Sequence, residues 1–116
     1  MGAGHPECPQ RLDAISDHLL ATGLDIALQF KDAPQATVEQ IERAHSAHYV
    51  TEIQDLLEQV RLGGTTKALD PDTIACPQTL AAALRSAGAA VAATADVIAG
   101  RARNAFCAVR PPGHHA

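Results

Sequence analysis

Two adjacent imidazoles, His114 and His115, stand at the end of the stretch with the most chemical promise in this chain. Imidazole takes up and releases a proton near neutral pH, so such a pair can accept a proton from one reactant and return it to another. Arg110, a Pro111–Pro112 pair and Gly113 come immediately before them. Proline fixes φ and glycine admits turns that other residues resist, so this segment stiffens the backbone and redirects it just ahead of the histidines. A bare His-His pair reads more often as a solvated tail. The apolar run Ala105–Val109 tips the reading the other way, because it predicts a buried strand bounded by turn residues. In open α/β sheets ligands bind outside the carboxyl ends of strands, where this loop would sit. Cys107, inside the run, reads as a small buried apolar residue.

Something must lie behind that strand. A long helix is expected from about Gln78 to Ile98, ended by Gly100, with Leu80, Leu84, Ala87, Val91, Ala95 and Ile98 on one face. Its other face is mostly alanine, interrupted by Arg85, Ser86 and Asp96, and a helix apolar on nearly all sides is expected to be buried. Helix, Gly100 stop, strand and loop form one αβ unit, which makes the segment α/β rather than a helical bundle. Earlier in the chain, Leu12, Ile15 and Leu19 share a helical face opposite Asp13 and Asp17, with Gly23 as the stop. Ile26–Phe30 is a weak strand candidate. Thr37 and Gln40 have the spacing of a capping box and should open a short helix through Ile41. Ser46 can cap a further helix whose stripe is Val50, Ile53, Leu57 and Val60, ended by Gly63–Gly64. Leu69–Ile74, with its Asp and Pro content, reads as a loop.

Composition narrows the function classes. At 116 residues the chain is one domain at most, and its net charge of −4 argues against binding nucleic acid through phosphates. Residues 1–73 carry five Lys/Arg and twelve Asp/Glu, whereas residues 74–116 carry four and one, which can simply mark solvated faces. Cys8, Cys76 and Cys107 are odd in number and form no C-x-x-C, so a reduced, cytoplasmic setting is expected, without a Cys-plus-His zinc finger. No signal peptide or membrane-length apolar run is read, and no membrane partner is expected. His45 and His48 are three apart but lack a third ligand type on their face, and Asp70-Pro-Asp72 lacks the glycine and distal glutamate of a calcium loop.

RPPGHHA resembles the tandem-histidine signature of the zinc-dependent histone deacetylase family, above all its class II-like branch of bacterial deacetylases and acetylpolyamine amidohydrolases. His5–Leu12 is similar to that family's H-P-E-x-P-x-R-L segment, His45–Val50 to H-S-x-x-Y-[VI], and Leu69–Thr73 to L-D-x-D-T. The resemblance implies an arginase-like three-layer α/β/α fold, of which residues 1–116 would be a truncated, helix-rich N-terminal portion ending at the tandem-His loop. It implies hydrolysis of acetyl-lysine, an acetylpolyamine or a similar acetyl-amide, with zinc polarising carbonyl and water in the full-length family member. By position His115 resembles the general base and His114 the partner that stabilises developing charge. Asp70 or Asp72 would hydrogen-bond the substrate backbone at the cleft rim. Arg11 matches an arginine near an internal channel, or is a surface residue of the first turn, and Gly113 supports the loop. His45 and His48 would be structural.

The family's metal ligands, an Asp-x-His pair and a further Asp, follow the tandem histidines and have no counterpart here. None of the residues present is therefore expected to hold zinc, and the chain alone is expected to be inactive. Two other readings stand beside this one. The segment could be a non-catalytic deacetylase-like binding module, its exposed sheet edge and apolar helix satisfied in a homo-oligomer. It could also be a small helical protein that binds metal through His114, His115 and another histidine.

Overall fold

A computed structural model describes residues 4–113. The chain divides into two compact units, Met1–Asp32 and Ala33–Ala116. In the first, α1 (Gln10–Ala21) follows a proline-bearing turn, and Leu12, Ile15 and Leu19 are half-buried while Asp13 and Asp17 are exposed. Gly23, at φ 69°, ends the helical run after Thr22 and opens a 3-10 turn over Leu24–Ala27. The expected strand at Ile26–Phe30 is therefore absent. Ile26 is 88% exposed and Phe30 70%. A strand exists only through hydrogen bonds to a neighbour, and none of the described residues supplies one here.

The second unit holds the core. α2 (Val38–Glu42) begins with the expected capping box: Thr37 Oγ1 accepts from the Gln40 amide at 3.2 Å, and Gln40 Oε1 accepts from the Thr37 amide at 3.0 Å. α3 (Ala47–Gly63) is capped by Ser46, whose Oγ accepts from the Tyr49 amide, and ends at Gly64 in the left-handed region. Its apolar stripe buries Val50, Leu57 and Val60. Leu57 and Val60 pack with Ala75, and Ile53, Leu56, Leu69 and Leu80 close the cluster at its rim. Leu69 and Ala75 belong to a hairpin of β1 (Lys67–Asp70) and β2 (Thr73–Ala75), paired antiparallel with Asp70 opposite Thr73. The expected loop over Leu69–Ile74 is thus a tight hairpin. The turn chemistry belongs only to Pro71–Asp72, and the residues flanking it form the ladder.

α4 (Thr79–Ile98) has the expected extent, with Gln78 as its cap residue and Gly100 beyond it at φ 70°. Its expected burial is not observed. Only Gly88 is fully buried, while Val97 and Ile98 are 39% and 82% exposed. A helix apolar all round needs cover on every side, and here the packing falls along part of its length. α4 also has the length and mean hydropathy (1.3 over its best window) of a membrane-crossing helix, which corrects the reading that no such run exists. Its flank nevertheless carries polar ties to the rest of the unit. The Ala36 amide donates to the Leu84 carbonyl at 2.9 Å, and Arg85 Nη1 donates to the Ala33 carbonyl at 3.0 Å. These ties bring residues 33–36 across the helix at Gly88, and only a residue without a side chain permits so close an approach.

Ala105–Val109 forms no strand among the described residues. Phe106 is 78% exposed and Cys107 is half-buried, not buried as expected. A strand is made by hydrogen bonds to a neighbouring strand, and the described sheet is the two-stranded hairpin alone.

Candidate functional site

The chemistry-bearing loop leaves residues 105–109 at Arg110. Arg110 and Pro111 are half-buried, Pro112 and Gly113 exposed. Gly113 has φ 77°, and a Cβ placed there would meet nothing within 4 Å, so this glycine is needed for its backbone angle and not for space. Ser86, on α4, donates its hydroxyl to the Pro111 carbonyl at 2.5 Å and ties the loop to the long helix. His114 and His115, the two proposed proton carriers, lie outside the described residues.

Asp70 and Asp72 are brought together by the hairpin turn. Asp70 Oδ1 accepts from the Asp72 amide at 2.7 Å, the local bond by which aspartate imitates a backbone turn. Both are exposed. Arg11 belongs to the first unit. Its Nε and Nη2 both donate to Glu7 Oε1, at 3.1 and 3.0 Å, and the Glu7 amide donates to His5 Nδ1 at 3.0 Å. His5 and Glu7 thus pin the turn, and Glu7 also fixes one edge of the guanidinium. His45 and His48 diverge: His45 lies against the Tyr49 ring with centroids 5.5 Å apart, and His48 Nε2 is 3.5 Å from Glu52 Oε1 on the exposed face of α3.

Cys76 sits where the hairpin enters α4. Its amide donates to Thr79 Oγ1 at 2.8 Å, and the Thr79 hydroxyl lies 3.5 Å from its sulfur. That hydroxyl holds the Cys76 thiol below its ordinary range, with burial acting in the opposite direction.

Ser86 and Gly88 are the positions whose roles the sequence did not reveal. Faint signals exist in hindsight: a serine in an alanine-rich helix, and a mid-helix glycine that costs about 1 kcal/mol against alanine unless something lies against it.

The histone deacetylase domain profile matches residues 5–116, nearly the whole chain and all of the Arg110–Ala116 motif. The chain belongs to the histone deacetylase family. A histone deacetylase-like amidohydrolase of Pseudomonas aeruginosa is 39% identical over 113 residues, covering 97% of this chain and 28% of that protein. The polyamine deacetylase HDAC10 of Rattus norvegicus is 34% identical over 116 residues, covering 94% of this chain and 19% of that protein. Among solved structures, the HD domain of HDA15 superposes with a TM-score of 0.85 at 30% identity, covering all of this chain and 33% of that one. The chain thus spans 28% and 19% of the length of these two curated relatives. The helix-rich architecture with a small sheet is that of a truncated deacetylase fold. Deacetylases of this family are generally zinc-dependent. The described residues contain no group of three or more His, Cys, Asp or Glu that could hold a metal ion, so they do not fit a zinc site by themselves.

Proposed function

We propose that residues 1–116 are the N-terminal segment of a deacetylase catalytic domain that hydrolyses an acetyl-amide, and that their contribution to the chemistry is the tandem-histidine loop. One observation carries the reading: the deacetylase profile matches residues 5–116 and so runs through the Arg110–Ala116 motif. His115 takes the proton as water attacks the acetyl carbonyl, and the leaving amine departs with a proton delivered from the pair. His114 stabilises the charge that develops on the carbonyl oxygen. Zinc, when bound, would polarise the acetyl carbonyl and the attacking water, and the described residues offer no set of three side chains to hold it.

The substrate class is an acetylated primary amine, on a lysine side chain or a polyamine. The relatives' names support this breadth, one being a polyamine deacetylase and another an amidohydrolase. Three free thiols suit a reducing, cytoplasmic setting, and an excess of acidic residues suits a cationic substrate better than nucleic acid. Asp70 sustains the hairpin turn, and Asp72, whose amide that turn holds, is the residue we assign to the substrate backbone. Arg11 is assigned to the channel behind the site.

The complete domain should release acetate from an acetyl-lysine peptide or an acetylpolyamine. Failure to release acetate from either, with the metal supplied, would overturn the reading. In the same assay Asp72→Ala should raise KM about tenfold or more, the loss of a hydrogen bond to a charged group, with kcat changed far less. Asp70→Ala should act chiefly by loosening the turn and so lower the melting temperature as well. Unchanged Michaelis parameters in both variants would remove these aspartates from the cleft rim.

A further inference from the structure

We propose that Ser86 is a positioning residue for the tandem histidines, fixing their loop to α4 through the Pro111 carbonyl. The proposal rests on the deacetylase reading, since it is the proton transfer by His114 and His115 that the positioning serves. Ser86 and Pro111 are 25 residues apart and half-buried, and the hydroxyl reaches the carbonyl at 2.5 Å.

Three facts single out this contact. First, Pro111 and Pro112 have no N–H, so much of this loop can be held only through its carbonyls. Second, the amides inside α4 are engaged in its own ladder, so the donor must come from a side chain. Ser86 is the sole hydroxyl of α4 between Thr79 and Thr94. Serine within a helix commonly bonds back to the carbonyl four residues earlier, whereas this one reaches outward to the loop. Third, the helix is itself braced two residues further on, where Gly88 receives the backbone of Pro34–Ala36. The loop is therefore referenced to a fixed point of the unit. The anchored carbonyl is three residues before His114 and four before His115.

Misplacing a reacting group by about 1 Å can cost on the order of a hundredfold in rate. In the complete domain, Ser86→Ala should lower kcat between about tenfold and a hundredfold with KM within about twofold, because the substrate's own contacts are elsewhere. Ser86→Thr keeps the hydroxyl and should recover most of the loss. Amide hydrogen exchange at Arg110 and Gly113 should quicken in the alanine variant and stay near wild type in the threonine variant. A wild-type kcat in Ser86→Ala overturns the proposal, as do unchanged exchange rates in the loop or a kcat loss that a normally folded Ser86→Thr fails to rescue. The deacetylase reading fails separately: it falls if His115→Ala retains full turnover, whatever the loop exchange shows.

Discussion

Gly88→Ala should destabilise the protein by more than about 3 kcal/mol, although it replaces a poor helix former with the best one. The added Cβ would lie 1.9 Å from the Pro34 carbonyl oxygen, 2.8 Å from the Ala36 nitrogen and 2.9 Å from the Pro34 carbonyl carbon. All three are backbone atoms, so no rotamer change can relieve the clash. The segment would have to retreat, and the hydrogen bonds from the Ala36 amide to Leu84 and from Arg85 to Ala33 would go with it. Ala36 would also lose its burial. A loss of this size should lower the melting temperature of the complete domain by roughly 5 °C or more. Thermal unfolding followed by circular dichroism checks it, with Ala81→Gly on the exposed side of α4 as the control, expected to cost only about 1 kcal/mol. A Gly88→Ala variant as stable as wild type would show that residues 33–36 do not cross α4 as described.

His115→Ala, in the complete domain, should reduce turnover about a thousandfold, the range in which a positioned proton carrier acts. Metal content should remain near wild type, because the proposal gives this imidazole a proton to move and no metal to hold. KM should change little, since the proposed grip on the substrate lies at the Asp72 rim and not at this imidazole. Loss of metal in the variant would make His115 a ligand and refute the role assigned to it. His114→Ala should be similarly impaired, and the two losses should not add, as expected of groups that act as a unit.

What could be read directly from residue order was local. Thr37 and Gln40 are three apart and cap one another, and Ser46 reaches the amide of Tyr49, three residues on. The stripe Val50, Ile53, Leu57 and Val60 follows from helical spacing alone, and all of it is buried except Ile53, which is half-buried at the rim. The Arg110–Ala116 motif is contiguous, so the family could be inferred before any coordinate. Strands were harder. Ile26–Phe30 and Ala105–Val109 have strand-like composition, but composition states what a segment could pair with and not whether a partner is beside it. The hairpin is hidden for the converse reason: Pro71 and Asp72 give a short stretch the composition of a loop, although the residues on either side pair as a ladder.

By itself the sequence determined how α2 and α3 are capped, which face α3 buries, and which family the Arg110–Ala116 motif points to. Tertiary structure alone decided that residues 33–36 press on Gly88, that Ser86 reaches across 25 positions to Pro111, and that α4 leaves most of its apolar surface less than fully buried. The division has a physical cause. Caps, turns and helical stripes are set by atoms a few residues apart, whereas ladders, close backbone crossings and loop anchors depend on segments that meet only after the chain has folded.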